Sequence, residues 1–162
     1  RIAEGRLGNG NRQFVDYIVT VALEELVGFF LDEYNNIARR AATGAYAKYS
    51  GFRVGAALLC EDGTIITGCN IENRSYGLTV CAERVAVFNA LSGGKTNFRE
   101  IAVVGLDADS PLPPCGACRQ VLTEFMTPDS PVHLSCKSGE VKTVLLGDLL
   151  PFDSLQDFLP RG

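Results

Sequence analysis

The stretch FRVGAALLCEDGTIITGCN, residues 52–70, holds two apolar runs around Glu61-Asp62-Gly63. An Asp-Gly pair tolerates the positive backbone dihedrals of a tight turn, so the spacing predicts strands over 52–60 and 64–70 joined in a hairpin. Downstream, Val85, Phe88 and Leu91 recur at threes, which predicts a helix over 81–91 stopped by Gly93-Gly94. The run REIAVVGL, residues 99–106, reads as a buried strand, and 107–114 as a proline-rich loop. A helix over 115–126 and strands near 131–136 and 140–146 follow. Upstream, apolar residues step by three and four from Leu23 to Ala45, a core-facing helical stripe with Thr20 as N-cap candidate. Residues 1 to about 12, rich in Gly, Asn and Arg, read as a loose tail. A hairpin followed by helix, strand, helix and strand describes a layered α/β sheet.

The length of 162 residues fits one compact domain, and 46% hydrophobic with 21% charged residues fits a globular protein rather than a disordered one. A net charge of −4 argues against nucleic acid as the main partner, because a phosphate backbone demands a basic excess. No apolar run approaches the ~20 residues that cross a bilayer, and the start lacks the basic head and apolar centre of a secretory signal. These features predict a soluble, cytoplasmic protein. The one histidine, His133, alternates with Val132 and Leu134 as a strand residue does, and is expected to be structural. A single histidine disfavours a Ser-His-Asp triad and excludes a two-histidine zinc site. Six cysteines in such a chain read as thiols or metal ligands rather than a disulfide framework.

Two short blocks carry chemistry: Cys81-Ala82-Glu83, and Pro114-Cys115-Gly116-Ala117-Cys118 some thirty residues on. Each sits where a loop runs into a predicted helix, so three thiols can converge from two helix N-termini. The partial positive charge there favours the thiolate that a metal requires. Three protein ligands leave a fourth position for water, as in catalytic zinc sites, and zinc brings the pKa of such a water from about 15.7 to about 7. Glu83, two residues past the first thiol, is placed to carry protons without binding metal. Taken alone, Cys115-x-x-Cys118 also fits a thiol redox pair or half of a structural zinc site, and a fourth thiolate from Cys69 or Cys60 would close the site. Both blocks together match the zinc deaminase pattern, with Cys81 in the position that a histidine holds elsewhere.

The chain resembles the small, tetrameric cytidine deaminases. Tyr49-Ser50-Gly51-Phe52-Arg53-Val54-Gly55-Ala56-Ala57-Leu58 is similar to that family's first block and Gly68-Cys69-Asn70-Ile71-Glu72-Asn73 to its second. Cys81-Ala82-Glu83-Arg84, Pro114-Cys115-Gly116-Ala117-Cys118-Arg119-Gln120 and Leu149-Leu150-Pro151 complete it, so the resemblance spans about residues 46–151. It implies a three-layer α/β/α sandwich around a mixed five-stranded sheet, with residues 1–20 an N-terminal extension and 21–162 the deaminase-like domain. It also implies hydrolysis of cytidine and deoxycytidine to uridine and deoxyuridine with release of ammonia, a step of pyrimidine salvage.

By the same resemblance Cys81, Cys115 and Cys118 hold one zinc per subunit, and Glu83 is the catalytic proton carrier. Phe52 packs against the base, Ala82 reads the base carbonyl through its backbone, and Asn70 and Glu72 hold the ribose hydroxyls. Tyr76 sits at a subunit contact beside the substrate, and a homotetramer is implied. Three thiolates around a dication leave a charge of −1, which Arg84 is placed to offset by donating to a ligand sulfur. The chain departs from the pattern in about twenty extra N-terminal residues, including the apolar segment 14–19. It departs also at Arg74, and in having Phe152 and Phe158 as two candidates for a phenylalanine that covers a neighbouring subunit's site. A deaminase of a cytosine-bearing antibiotic and a polynucleotide editor are the rival enzymes. A non-catalytic zinc module is the rival from another class, and Glu83 argues against it.

Overall fold

The computed structural model describes Thr20 and residues 31–155. Segment 14–19, residues 23–30 and Phe158, which bear on the expectations above, lie outside the described residues. Thr20 is itself helical rather than a cap preceding the helix. The chain divides into two units, Arg1–Glu33 and Tyr34–Gly162, and the second contains all of the residues of the site.

In this second unit residues 34–42 form helix α1, followed by the hairpin β1 (Val54–Cys60) and β2 (Ile65–Cys69). Then come a 3₁₀ turn (Tyr76–Leu78), α2 (Ala82–Ser92), β3 (Phe98–Gly105), α3 (Gly116–Phe125), β4 (Pro131–Ser135), β5 (Val141–Leu145) and the single-turn α4 (Leu146–Leu149). The helical stripe therefore stops at residue 42, short of Ala45. The sheet order is β2-β1-β3-β4-β5, with β3 and β4 parallel and the other pairs antiparallel. Gly63 takes φ +84° in the hairpin turn, as the Asp-Gly pair requires.

Successive strand residues face opposite sides of the sheet, and both sides are covered. Ala56, Leu58, Ile101 and Val103 pack with Ala82, Ala86 and Val87 of α2 and Leu122 of α3. Ala57, Ala102 and Val104 pack with Tyr34 and Ala38 of α1. The unit is thus a three-layer α/β/α sandwich around a mixed five-stranded sheet. Two strand glycines set the layer spacing. A Cβ on Gly55 would lie 2.1 Å from the Ala38 carbonyl oxygen, and one on Gly68 would lie 2.4 Å from that of Ala82. No side chain fits at either position, so α1 and the first turn of α2 seat directly on the hairpin. Among the described residues no helix is long and apolar enough to cross a membrane.

Candidate active site and metal centre

Cys81 is the N-cap of α2 and Cys115 the N-cap of α3, both extended, at ψ 156° and 165°. Their carbonyls accept the first helical bonds, from Val85 N–H at 3.1 Å and Arg119 N–H at 3.0 Å. Cys118 follows one turn into α3 and is buried. Sγ of Cys115 lies 3.8 Å from that of Cys81 and 3.4 Å from that of Cys118. All three sulfurs fall within 4.8 Å of one another. Cys60 and Cys69, the candidates for a fourth thiolate, are not part of this group, so the set is open rather than closed.

The electrostatics of the cluster are unbalanced. Hydrogen bonding from Cys118 first, then Arg84 and Cys115, pulls the Cys81 thiol down to about 5 against its burial. Cys118 is pushed the other way by its bond to Cys81, by burial and by the Glu83 charge. One sulfur ionises at another's expense, and a dication is what lets all three be thiolates together. Three soft thiolate donors within 4.8 Å of one another suit zinc, so the residues fit that ion.

Glu83, in the first turn of α2, is 4% exposed. Burial pushes its carboxyl up to about 7, and the Cys81 charge adds to the shift. Arg84 places its guanidinium 3.6 Å from Cys81 Sγ and 3.2 Å from the Thr79 carbonyl. Its buried Nε has no hydrogen-bond partner.

The residues expected to meet a nucleoside, Ala82 apart, precede Cys81 in the chain. Ile71 and Val80 exchange backbone hydrogen bonds at 2.9 and 3.0 Å, which brings Asn70 and Glu72 alongside the strand-like lead into Cys81. Asn70 is buried, with Oδ1 accepting from Val54 N–H at 2.8 Å and Nδ2 donating to the Phe52 carbonyl at 2.9 Å. Glu72 is also buried and accepts from the backbone of Tyr49 and Ser50 and from the Ser50 hydroxyl. These donors hold its carboxyl below the usual range. Phe52 is half-buried, Ala82 fully buried, and Tyr76 exposed with its ring edge-on to Tyr49 at 6.3 Å.

Three contacts had no counterpart in the sequence reading. Arg119 donates to the Pro114 carbonyl through Nε and to the Leu149 carbonyl through a terminal nitrogen, both at 2.8 Å, tying the Cys115 loop to α4. Its only sequence signal was its place next to Cys118. Ser50 bridges Glu72 and Phe52, and Asp107 pairs with both the backbone and the guanidinium of Arg53. Separately, Ile71, Leu78, Val80, Val85 and Phe88 line an open groove of about 270 Å³ that Glu72 also touches and none of the three cysteines reaches.

An open three-sulfur centre at two helix N-termini, with a buried carboxylate outside the sulfur group, fits a hydrolytic metal enzyme of the deaminase class. Residues 30–134 match the model of the cytidine and deoxycytidylate deaminase zinc-binding region, and the chain belongs to that family. It is 52% identical over 114 residues to a cytidine deaminase of Halalkalibacterium halodurans, covering 70% of this chain and 86% of that protein. A cytidine deaminase of Sporosarcina psychrophila is 50% identical over 114 residues, 70% of this chain and 83% of that one. The crystal structure of a cytidine deaminase from Burkholderia pseudomallei superposes with a TM-score of 0.71 at 48% identity, over 74% of this chain and 95% of that one.

Proposed function

We propose that the chain hydrolyses cytidine and deoxycytidine to uridine and deoxyuridine, releasing ammonia, as a cytoplasmic step of pyrimidine salvage. The observation that carries this reading is the buried Glu83 beside the three convergent sulfurs of Cys81, Cys115 and Cys118. Cys81, Cys115 and Cys118 would hold one zinc, which would supply the Lewis acidity that makes water a nucleophile at neutral pH. Glu83 takes the proton given up by that water. It passes the proton to the ring nitrogen beside C4, then takes the remaining proton from the oxygen added at C4 and delivers it to the departing amino group, so that oxygen becomes the carbonyl and ammonia leaves. A buried carboxyl, which burial pushes up from its usual range, is suited to carrying protons. Arg84 offsets the charge of −1 that three thiolates leave around a dication.

Phe52 packs against the base, and the Ala82 backbone reads its carbonyl. Asn70 and Glu72 hold the ribose hydroxyls. The Glu72 carboxylate, with about four acceptor positions and three in use, has one left for a hydroxyl. The enzyme works as a homotetramer, with Tyr76 at a subunit contact. The open groove supports this, since Leu78 and Phe88 are 67% and 48% exposed there.

Loss of cytidine's ultraviolet absorbance, with ammonia released in equal amount, tests the activity. Zinc-loaded protein that leaves both nucleosides intact overturns it. Sedimentation of Phe88→Glu as a smaller species than the parent is expected from the assembly, and a parent that sediments as a monomer contradicts it.

A further inference from the structure

The segment that carries Phe52 has no regular secondary structure between residues 51 and 53, yet each backbone N–H from residue 49 to residue 54 has an acceptor. Glu72 accepts from Tyr49 at 2.8 Å and from Ser50 at 3.2 Å. The Ala47 carbonyl accepts from Gly51 at 2.9 Å, and the Ser50 hydroxyl from Phe52 at 2.9 Å. Asp107 accepts from Arg53 and Asn70 from Val54, each at 2.8 Å. Five of these six hydrogen bonds end on side chains, those of Ser50, Asn70, Glu72 and Asp107, from three different parts of the chain. Gly51 turns the segment with φ +70°, a conformation that glycine adopts without strain. A loop held in this way is fixed before any ligand arrives, and the ordering cost is met in folding rather than in binding.

Ser50 is the shared member of this set. Its hydroxyl donates to the Glu72 carboxylate while accepting from the Phe52 N–H. We infer that Ser50 is a positioning residue that couples the carboxylate of Glu72 to the backbone of Phe52, with Asp107 a second anchor of the same segment. The inference rests on the nucleoside reading above, in which Glu72 faces the sugar and Phe52 the base. Without the hydroxyl, the Phe52 N–H loses its acceptor and Glu72 keeps only two donors. Both ends of the nucleoside then meet groups that must be ordered on binding, while the sulfurs and Glu83, on other elements, are untouched. The signature is a weaker KM with an unchanged chemical step.

The test compares zinc-loaded parent, Ser50→Ala and Ser50→Thr with cytidine. Ser50→Ala raises KM about tenfold while kcat stays within about threefold and zinc content equals the parent's. Ser50→Thr, which keeps the γ-hydroxyl, recovers most of the loss. A parental KM in Ser50→Ala overturns the inference, and so does a parallel loss of kcat and zinc, which marks general misfolding. Should Ser50→Ala not fold, Asp107→Asn decides: KM about threefold higher at parental kcat supports the coupling, and a parental KM overturns it. A parent that leaves cytidine intact overturns the nucleoside reading only. Hydrogen exchange across residues 49–54 then decides the coupling, since Ser50→Ala or Asp107→Asn must lose protection there while β1 keeps its own, and unchanged protection overturns it.

Discussion

Two polar clusters flank the sheet, each built around a buried titratable residue, and they differ in how their groups are paired. On the α1 side, His133 on β4 hydrogen-bonds Thr143 Oγ1 through Nδ1 and Glu100 Oε2 through Nε2, each at 2.9 Å. The Tyr34 hydroxyl donates to the Glu100 carbonyl, and its ring packs edge-on to the imidazole at 6.2 Å. His133 holds the Glu100 carboxyl below its usual range. On the α2 side, Glu83 is held near 7 by burial, Arg84 Nε has no partner, and one cysteine ionises at another's expense. The first cluster pairs its side chains with one another and so braces strands β3, β4 and β5 against α1. The second leaves a buried guanidinium nitrogen without a partner beside titratable groups pushed from their usual ranges, and that is the mark of a working site.

The sharpest way to break the contrast is at the sulfurs. Cys115→Ala removes the ligand that caps α3, and zinc content by atomic spectroscopy and turnover should both collapse, with activity down by more than about 10³-fold. Zinc retained at parental stoichiometry would show that the three sulfurs do not form the centre. Arg84→Ala should have a smaller effect. Zinc release to a chromogenic chelator should speed up and turnover fall by about 10- to 100-fold, the range typical of groups that support metal ligands. Parental release and turnover would mean that Arg84 serves only the Thr79 carbonyl.

His133→Ala should leave KM and kcat near parental while lowering stability in urea by about 1–3 kcal/mol, because Glu100 and Thr143 lose a partner. A large loss of kcat at intact stability would erase the distinction between brace and site. The smallest effect is in pH. A carboxyl depressed in the folded state contributes stability above its unfolded value, ordinarily 4.5, and loses it as pH falls through the lower folded value. The stability gap between parent and His133→Ala should therefore narrow as the medium is acidified through that range, and a gap that widens there contradicts the pairing.

Much of the architecture was legible because its signals are local. The Asp62-Gly63 turn, the threefold steps of Val85, Phe88 and Leu91, and the glycine stop after them each lie within a few residues of the structure they encode. Cys81 and Cys115 stand out for the same reason, as each opens a helix. Less was legible where partners are distant in sequence. β1 begins at Val54 rather than at Phe52, because the amides of residues 52 and 53 go to Ser50 and Asp107. Gly55 and Gly68 read as plain strand residues, and only the packed helices explain them. The 3₁₀ turn and α4 are too short to carry a periodicity. His133 was legible as structural, but its partners lie 33 and 10 residues away in the chain.

The account turns on Glu83 as a carboxylate that moves protons and does not hold metal. The most direct test is Glu83→Gln, nearly identical in shape, assayed beside the parent with cytidine, with zinc measured in the same samples. The account predicts zinc content equal to the parent's and turnover lower by about 10²–10⁴-fold, the usual contribution of a positioned acid–base group. Turnover within a few-fold of the parent, or zinc lost along with activity, would contradict it.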